Sequence, residues 1–223
     1  LAVLKHEWGL IASRKSIDVD TWERALGMVE AEERRLRSEG KWARGRDDFM
    51  GVLGIHRAEI RHSRILAWLL DPCGRHGLGT HFLRALLAKT TNPGVDADGA
   101  GAGLLEEATS QCEVPIEGGR LDIVVEAPGL YLVIENKVDA LESERQCEHY
   151  FRTVSQPERR FLLLAPERRV LRTESQDVRD AFGICTYAEL AVFLEEALGR
   201  GLAEASGRAV ALDYLKTLRK EFS

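Results

Sequence analysis

Three residues near the middle of the chain have the types and spacing that chemistry needs. Glu135 and Lys137 stand two apart at the end of an apolar run, residues 130–136, and Asp122 interrupts a second apolar run at 120–126. Side chains two apart on a strand share a face, so Glu135 and Lys137 look one way while Ile134 looks into the core. A tight turn at Pro128-Gly129 folds the two runs into a hairpin and can bring Asp122 and Glu135 together on one face. Two carboxylates that close repel unless a cation lies between them. Oxygen ligands of this kind suit Mg²⁺ or Mn²⁺, which keep waters for chemistry. Lys137 beside such a water would orient it, or stabilise charge on a pentacovalent phosphate. In the helical stretch that follows, Gln146 and Tyr150 are four apart and share a face.

The elements that must position these residues can be read from periodicity and breakers. A helix is expected from Asp18, Asp20 or Thr21, any of which could cap it, through Ser38, ended by Gly40. Residues 55–70 predict an amphipathic helix stopped by Asp71-Pro72, with Glu59, His62 and Ser63 within one turn of each other. Gly79-Thr80 opens another helix to about Lys89, and 92–103 is expected as a loop. Strands follow at 110–116, 120–126 and 130–136, then a helix at 143–154, a buried strand at 161–165 and a strand at 183–187. Helices at 188–198 and 209–222 close the chain. Helices must cover both faces of such a sheet, which predicts the α/β class.

Composition sets limits. The chain has 223 residues, 44% hydrophobic and 30% charged, as in an ordinary soluble domain. No apolar run approaches the roughly 20 residues of a membrane span, so no membrane association and a cytoplasmic location are expected. The net charge of −5 does not favour a nucleic-acid partner. Local arginine clusters can override it: Arg57, Arg61 and Arg64; Arg159 and Arg160; Arg168 and Arg169. The four cysteines are far apart with no C-x-x-C pair, so no zinc or iron–sulfur cluster is indicated. Cys73, His76 and His81 are spaced too loosely for zinc, and Asp96-x-Asp98-Gly99 lacks the later Glu of a calcium loop. His62 is a candidate for contacting phosphate or for supporting the site from behind. Glu113, in the first strand, is read as a structural acid at the site's edge.

The order Asp122, hairpin, Glu135-x-Lys137, Gln146-x-x-x-Tyr150 resembles the PD-(D/E)XK nuclease superfamily, above all its RecB-like branch with a Gln-x-x-x-Tyr helix. The chain is also similar to a bacterial PD-(D/E)XK group in Glu59-x-x-His62-Ser63, the stretch from Leu66 to Pro72, His76-Gly77-x-Gly79, Phe82-Leu83, and Ile134-Glu135-Asn136-Lys137-x-Asp139-Ala140. Leu121 stands where the motif's name has Pro. The resemblance implies a three-layer α/β/α restriction-endonuclease-like core with a mixed central sheet and added N-terminal and C-terminal helices. It implies one domain over 1–223, in which 1–90 contributes Glu59, 104–187 forms the catalytic core and 188–223 the closing helices. Asp122, Glu135, the backbone carbonyl of Asn136 and Glu59 would hold Mg²⁺ or Mn²⁺. Lys137 would serve the attacking water, and Gln146 and Tyr150 would position the substrate backbone or the lysine. The implied activity is metal-dependent hydrolysis of nucleic acid, DNA rather than RNA, in defence, restriction or repair. Two alternatives stay open: a non-cleaving module that binds nucleic acid or protein, and a toxin or effector nuclease controlled by an immunity partner. A homodimer or a partner protein is compatible with either.

Overall fold

The structure is a computed structural model that describes residues 2–41, 45–90, 103–139, 145–173 and 175–222. The chain falls into two compact units, 1–45 and 46–223. The first is essentially one helix, α1 (Ala2–Ser38). The capping residues at 18–21 lie inside it, because no proline or glycine interrupts 10–26. Gly40, at φ +67°, follows its end as expected. Arg35 pairs with Glu32 and Glu39, and Arg37 with Glu33, so this end of the helix carries the expected charged, solvated face.

The second unit runs α2 (Phe49–Val52), α3 (Glu59–Leu70), α4 (His81–Leu87), a 3₁₀ turn (Gly103–Glu107), β1 (Thr109–Ile116), β2 (Gly119–Ala127), β3 (Leu130–Asn136), α5 (Gln146–Thr153), β4 (Arg159–Ala165), α6 (Gln176–Ala181), β5 (Phe182–Thr186), α7 (Tyr187–Arg200) and α8 (Arg208–Phe222). Helix α3 starts four residues later than periodicity suggests, after Gly54 turns the chain at φ +67°. Helix α6, capped by the Ser175 hydroxyl, is too short for periodicity to reveal. The expected loop at 92–103 and the start of the helix at 143 lie largely outside the described residues, with Asp96 and Asp98 among them.

The sheet order is β1-β2-β3-β4-β5. The first three strands form an antiparallel meander, and β4 and β5 add in parallel. Two-residue turns join the meander, with Ala127 opposite Leu130 across Pro128-Gly129. Gly129, at φ +77°, supplies the left-handed residue that such a turn needs after proline. Helix α5 carries the chain from β3 back to the start of β4, as a parallel pair requires.

The sheet is mixed and covered on both faces. Leu130, Leu132 and Ile134 of β3 and Leu162 and Leu164 of β4 pack with α3, α4, α7 and α8. Val133, Phe161 and Leu163 point the other way, toward Cys147 and Tyr150 of α5 and Val178 of α6. This is the three-layer architecture expected. The strand period therefore decides what the end of β3 does: Glu135 continues the α5 side and Asn136 the α3 and α7 side. Among the described residues, no helix is long and apolar enough to cross a membrane.

Candidate active site

The pairing of β2 with β3 stops at Ile123 and Ile134, one residue short of Asp122 and Glu135. The strands part there, and the gap is filled by polar groups. An Asp122 carboxylate oxygen accepts the Asn136 backbone N–H at 2.8 Å. The side chain of Asn136, fully buried, donates to Ser63 Oγ at 2.9 Å and to the Glu59 carbonyl at 3.2 Å, and accepts from the Tyr187 hydroxyl at 2.5 Å. One amide thus ties the end of β3 to both α3 and α7. Lys137 follows the last residue of β3, its N–H still bonded to the Leu164 carbonyl of β4 at 2.9 Å, and its Nζ lies 2.5 Å from Glu135 Oε1 and 3.4 Å from Glu59 Oε1. The other oxygen of Glu59 accepts the Val138 N–H at 3.1 Å.

Glu135 has no exposed surface, and neither of its carboxylate oxygens accepts a hydrogen bond of regular geometry; Lys137 approaches one of them only as an ion-pair partner. A buried, unsatisfied carboxylate is costly unless it is protonated or meets a cation. Burial first, then the charge of Asp122, pushes the Glu135 carboxyl up to about 8, against the pull of Lys137. Burial also raises Asp122, partly offset by the Asn136 N–H and by Lys137. Burial alone would lower Lys137, but the charges of Glu135, Asp122 and Glu59 outweigh it and hold the amine cationic. Two hard oxygen groups that repel each other, one of them buried with only the Lys137 ammonium to answer its charge, fit a divalent cation. Asp122 and Glu135, with the Asn136 carbonyl at the same strand end, would hold it.

Glu59 reaches this cluster, but as a partner of Lys137 and the Val138 N–H rather than as a third carboxylate beside the other two. Among the described residues, no three acidic, histidine or cysteine side chains gather as a metal-binding group. Gln146 and Tyr150 do come together: Gln146 Nε2 donates to the Tyr150 hydroxyl at 2.9 Å, which donates to the Arg120 carbonyl at 2.7 Å. Burial first, and then the Glu135 charge, raises the Tyr150 phenol, which places that hydroxyl within the field of the cluster.

His62 requires a correction. It is fully buried, its ring nitrogens pair with the Tyr214 hydroxyl and the His56 carbonyl at 2.9 Å each, and Tyr187, Tyr214 and Phe222 surround its ring. Burial lowers its pKa, so it is a neutral core histidine without access to phosphate. His76 is likewise buried, bonded to the Asp71 carbonyl and the Leu78 N–H, and forms no zinc set with exposed Cys73.

An open cleft of about 760 Å³ borders the cluster, lined by Asp122, Gln146 and Tyr150 together with Glu113, Arg120 and His149. Glu113 lies between the paired residues Cys112 and Val114, opposite Asp122, and is the one non-glycine among the described residues in the left-handed region, at φ +58°. Such a backbone is uncommon outside turns and marks the strand's distortion beside the cleft. Its carboxylate pairs with Arg120 at 2.8 Å. Sequence reasoning passed over the Asn136 side chain and Tyr187. The unbroken motif Ile134-Glu135-Asn136-Lys137 is the available signal for the first; nothing local marks the second.

A family model described as the PD-(D/E)XK nuclease superfamily matches residues 47–216. No curated protein and no solved structure matches.

Proposed function

The chain belongs to the PD-(D/E)XK nuclease superfamily, and from that premise we propose that it hydrolyses phosphodiester bonds of nucleic acid, DNA in preference to RNA, with Mg²⁺ or Mn²⁺. The observation that carries this reading is Glu135: a fully buried carboxylate that accepts no hydrogen bond of regular geometry, set beside Asp122 and ion-paired to a lysine held cationic. A divalent ion there would polarise a phosphoryl oxygen and lower the pKa of a bound water. Lys137 would donate a hydrogen bond from its ammonium group that orients the attacking water, or would neutralise charge on the phosphate. Glu59 and Glu135 fix the position of that ammonium group. Tyr150 and Gln146 line the cleft where the substrate backbone would lie, with Arg145 and the Arg120–Glu113 ion pair also on its wall. By analogy with the family, the setting is defence, restriction or repair.

The test is cleavage of plasmid and single-stranded DNA, and of RNA, with Mg²⁺, Mn²⁺ or EDTA, wild type beside Lys137→Ala. Metal-dependent cleavage that falls by about 10²-fold or more in the variant supports the reading. Absence of cleavage with every metal replaces it with a module that binds without cutting, and equal cleavage by the variant removes Lys137 from the reaction and overturns the assignment of the site.

A further inference from the structure

A second cavity, of about 310 Å³, opens where β4 begins, lined by Thr90, Phe151, Pro157, Arg159, Arg160, Phe161, Asp180 and Ala181. Arg160 is 8% exposed, and among the described residues its guanidinium has neither an ion-pair nor a hydrogen-bond partner. The other charges at the cavity are already engaged. Arg159 donates to the Val154 carbonyl and lies over the Phe151 ring, and Asp180 accepts from Gln176 at 2.7 Å. The Thr90 hydroxyl donates to the Leu87 carbonyl. Burial is the one influence acting on Arg160, and it lowers the pKa. A guanidinium keeps its charge, and this one opens on the cavity with its fork of donors unanswered by any protein group among the described residues, so an anion there would gain paired, charge-assisted hydrogen bonds.

The site is separate from the candidate active site. In the parallel register Arg160 lies opposite Leu132, while Glu135 lies opposite Leu163. Three residues of strand set them about 10 Å apart along the sheet. The register also puts Arg160 at the opposite end of β3 and β4 from Glu135.

We propose that this cavity is an oxyanion site in which Arg160 binds the phosphate or carboxylate group of a small ligand. The fork of donors on a guanidinium matches both groups, and the two arginines against one aspartate leave the cavity cationic. The size admits a small organic phosphate as well as the free ion.

The test measures melting of the full chain in EDTA with inorganic phosphate, a 5′-mononucleotide or acetate, for wild type, Arg160→Met and Lys137→Ala. The wild type should melt higher with phosphate or the mononucleotide, by roughly 5–10 °C at a hundredfold excess over Kd. A shift with acetate alone assigns the site to carboxylates. Arg160→Met should lose the shift and, without ligand, melt no lower than wild type, because it removes an unpaired charge. Lys137→Ala should keep the shift, which separates this site from the active site whether or not the protein cleaves DNA. The inference is overturned if no probe shifts the wild type, if Arg160→Met retains the shift, or if Lys137→Ala loses it. It is also overturned if Arg160→Met is destabilised without ligand.

Discussion

Replacing Glu135 by Gln tests the central electrostatic argument without any knowledge of substrate. The carboxyl has no exposed surface and its pKa is pushed up to about 8, from an ordinary value of 4.5. Between these two pH values the folded protein holds a proton that the unfolded chain releases. Stability must therefore fall as pH rises through that window. At pH 7 the gap from the ordinary pKa amounts to about 3 kcal/mol of lost stability, an upper bound because the lysine and both carboxylates titrate together. A glutamine side chain at this position would have the shape of the protonated acid and no such linkage. Glu135→Gln should then match the wild type near pH 4.5 and melt higher at pH 7, by up to roughly 5–10 °C for a chain of this size. Thermal melts in EDTA from pH 5 to 8 would read the effect. Adding Mn²⁺ should stabilise the wild type increasingly toward pH 8 and leave the variant unmoved. If Glu135→Gln melts at or below the wild type at every pH, or if the two curves run parallel, the carboxyl is not held protonated and the reasoning fails.

Three further substitutions probe what holds the site. Tyr187→Phe leaves the buried Asn136 side-chain oxygen Oδ1 without its 2.5 Å donor; denaturant unfolding should show a loss of about 1–3 kcal/mol, together with reduced cleavage. Tyr150→Phe deprives both the Arg120 carbonyl and the Gln146 amide of a partner; about tenfold slower cleavage is expected with the fold retained, as read by initial rates beside circular dichroism. Asp48 is fully buried, caps α2 through the Gly51 N–H at 2.9 Å, accepts from Thr217 at 2.8 Å and pairs with Arg46. Arg46 above all holds its carboxyl well below the usual range. Asp48→Ala should cost about 2–4 kcal/mol in urea. The stability Asp48 supplies is fully present above the ordinary carboxyl pKa and is lost as pH falls below it, so the gap between variant and wild type should narrow in acid.

What could be read from the sequence follows from the range of the interactions. The strands of the meander and the two closing helices announce themselves by local periods of 2 and 3.6. Asp122, Glu135 and Lys137 stand out because charge inside an apolar run is expensive, and a short hairpin brings two of them together without help from the rest of the fold. The supports of the site are a different matter. The Asn136 amide bonds to residues on α3 and α7, and His62 bonds to Tyr214 on α8; no spacing rule connects positions so far apart in the chain. His62 shows how this misleads. Beside Ser63 and one turn from Glu59, it has the neighbours of a catalytic group, yet its position on α3 turns it into the aromatic core rather than toward Lys137. Glu59, three residues earlier, sits at the first turn of that helix and reaches past the end of β3. The same helix thus supplies a site residue from its tip and a core residue from its buried face. Only the packing of α3 against the sheet, not the types of residue it carries, decides which is which.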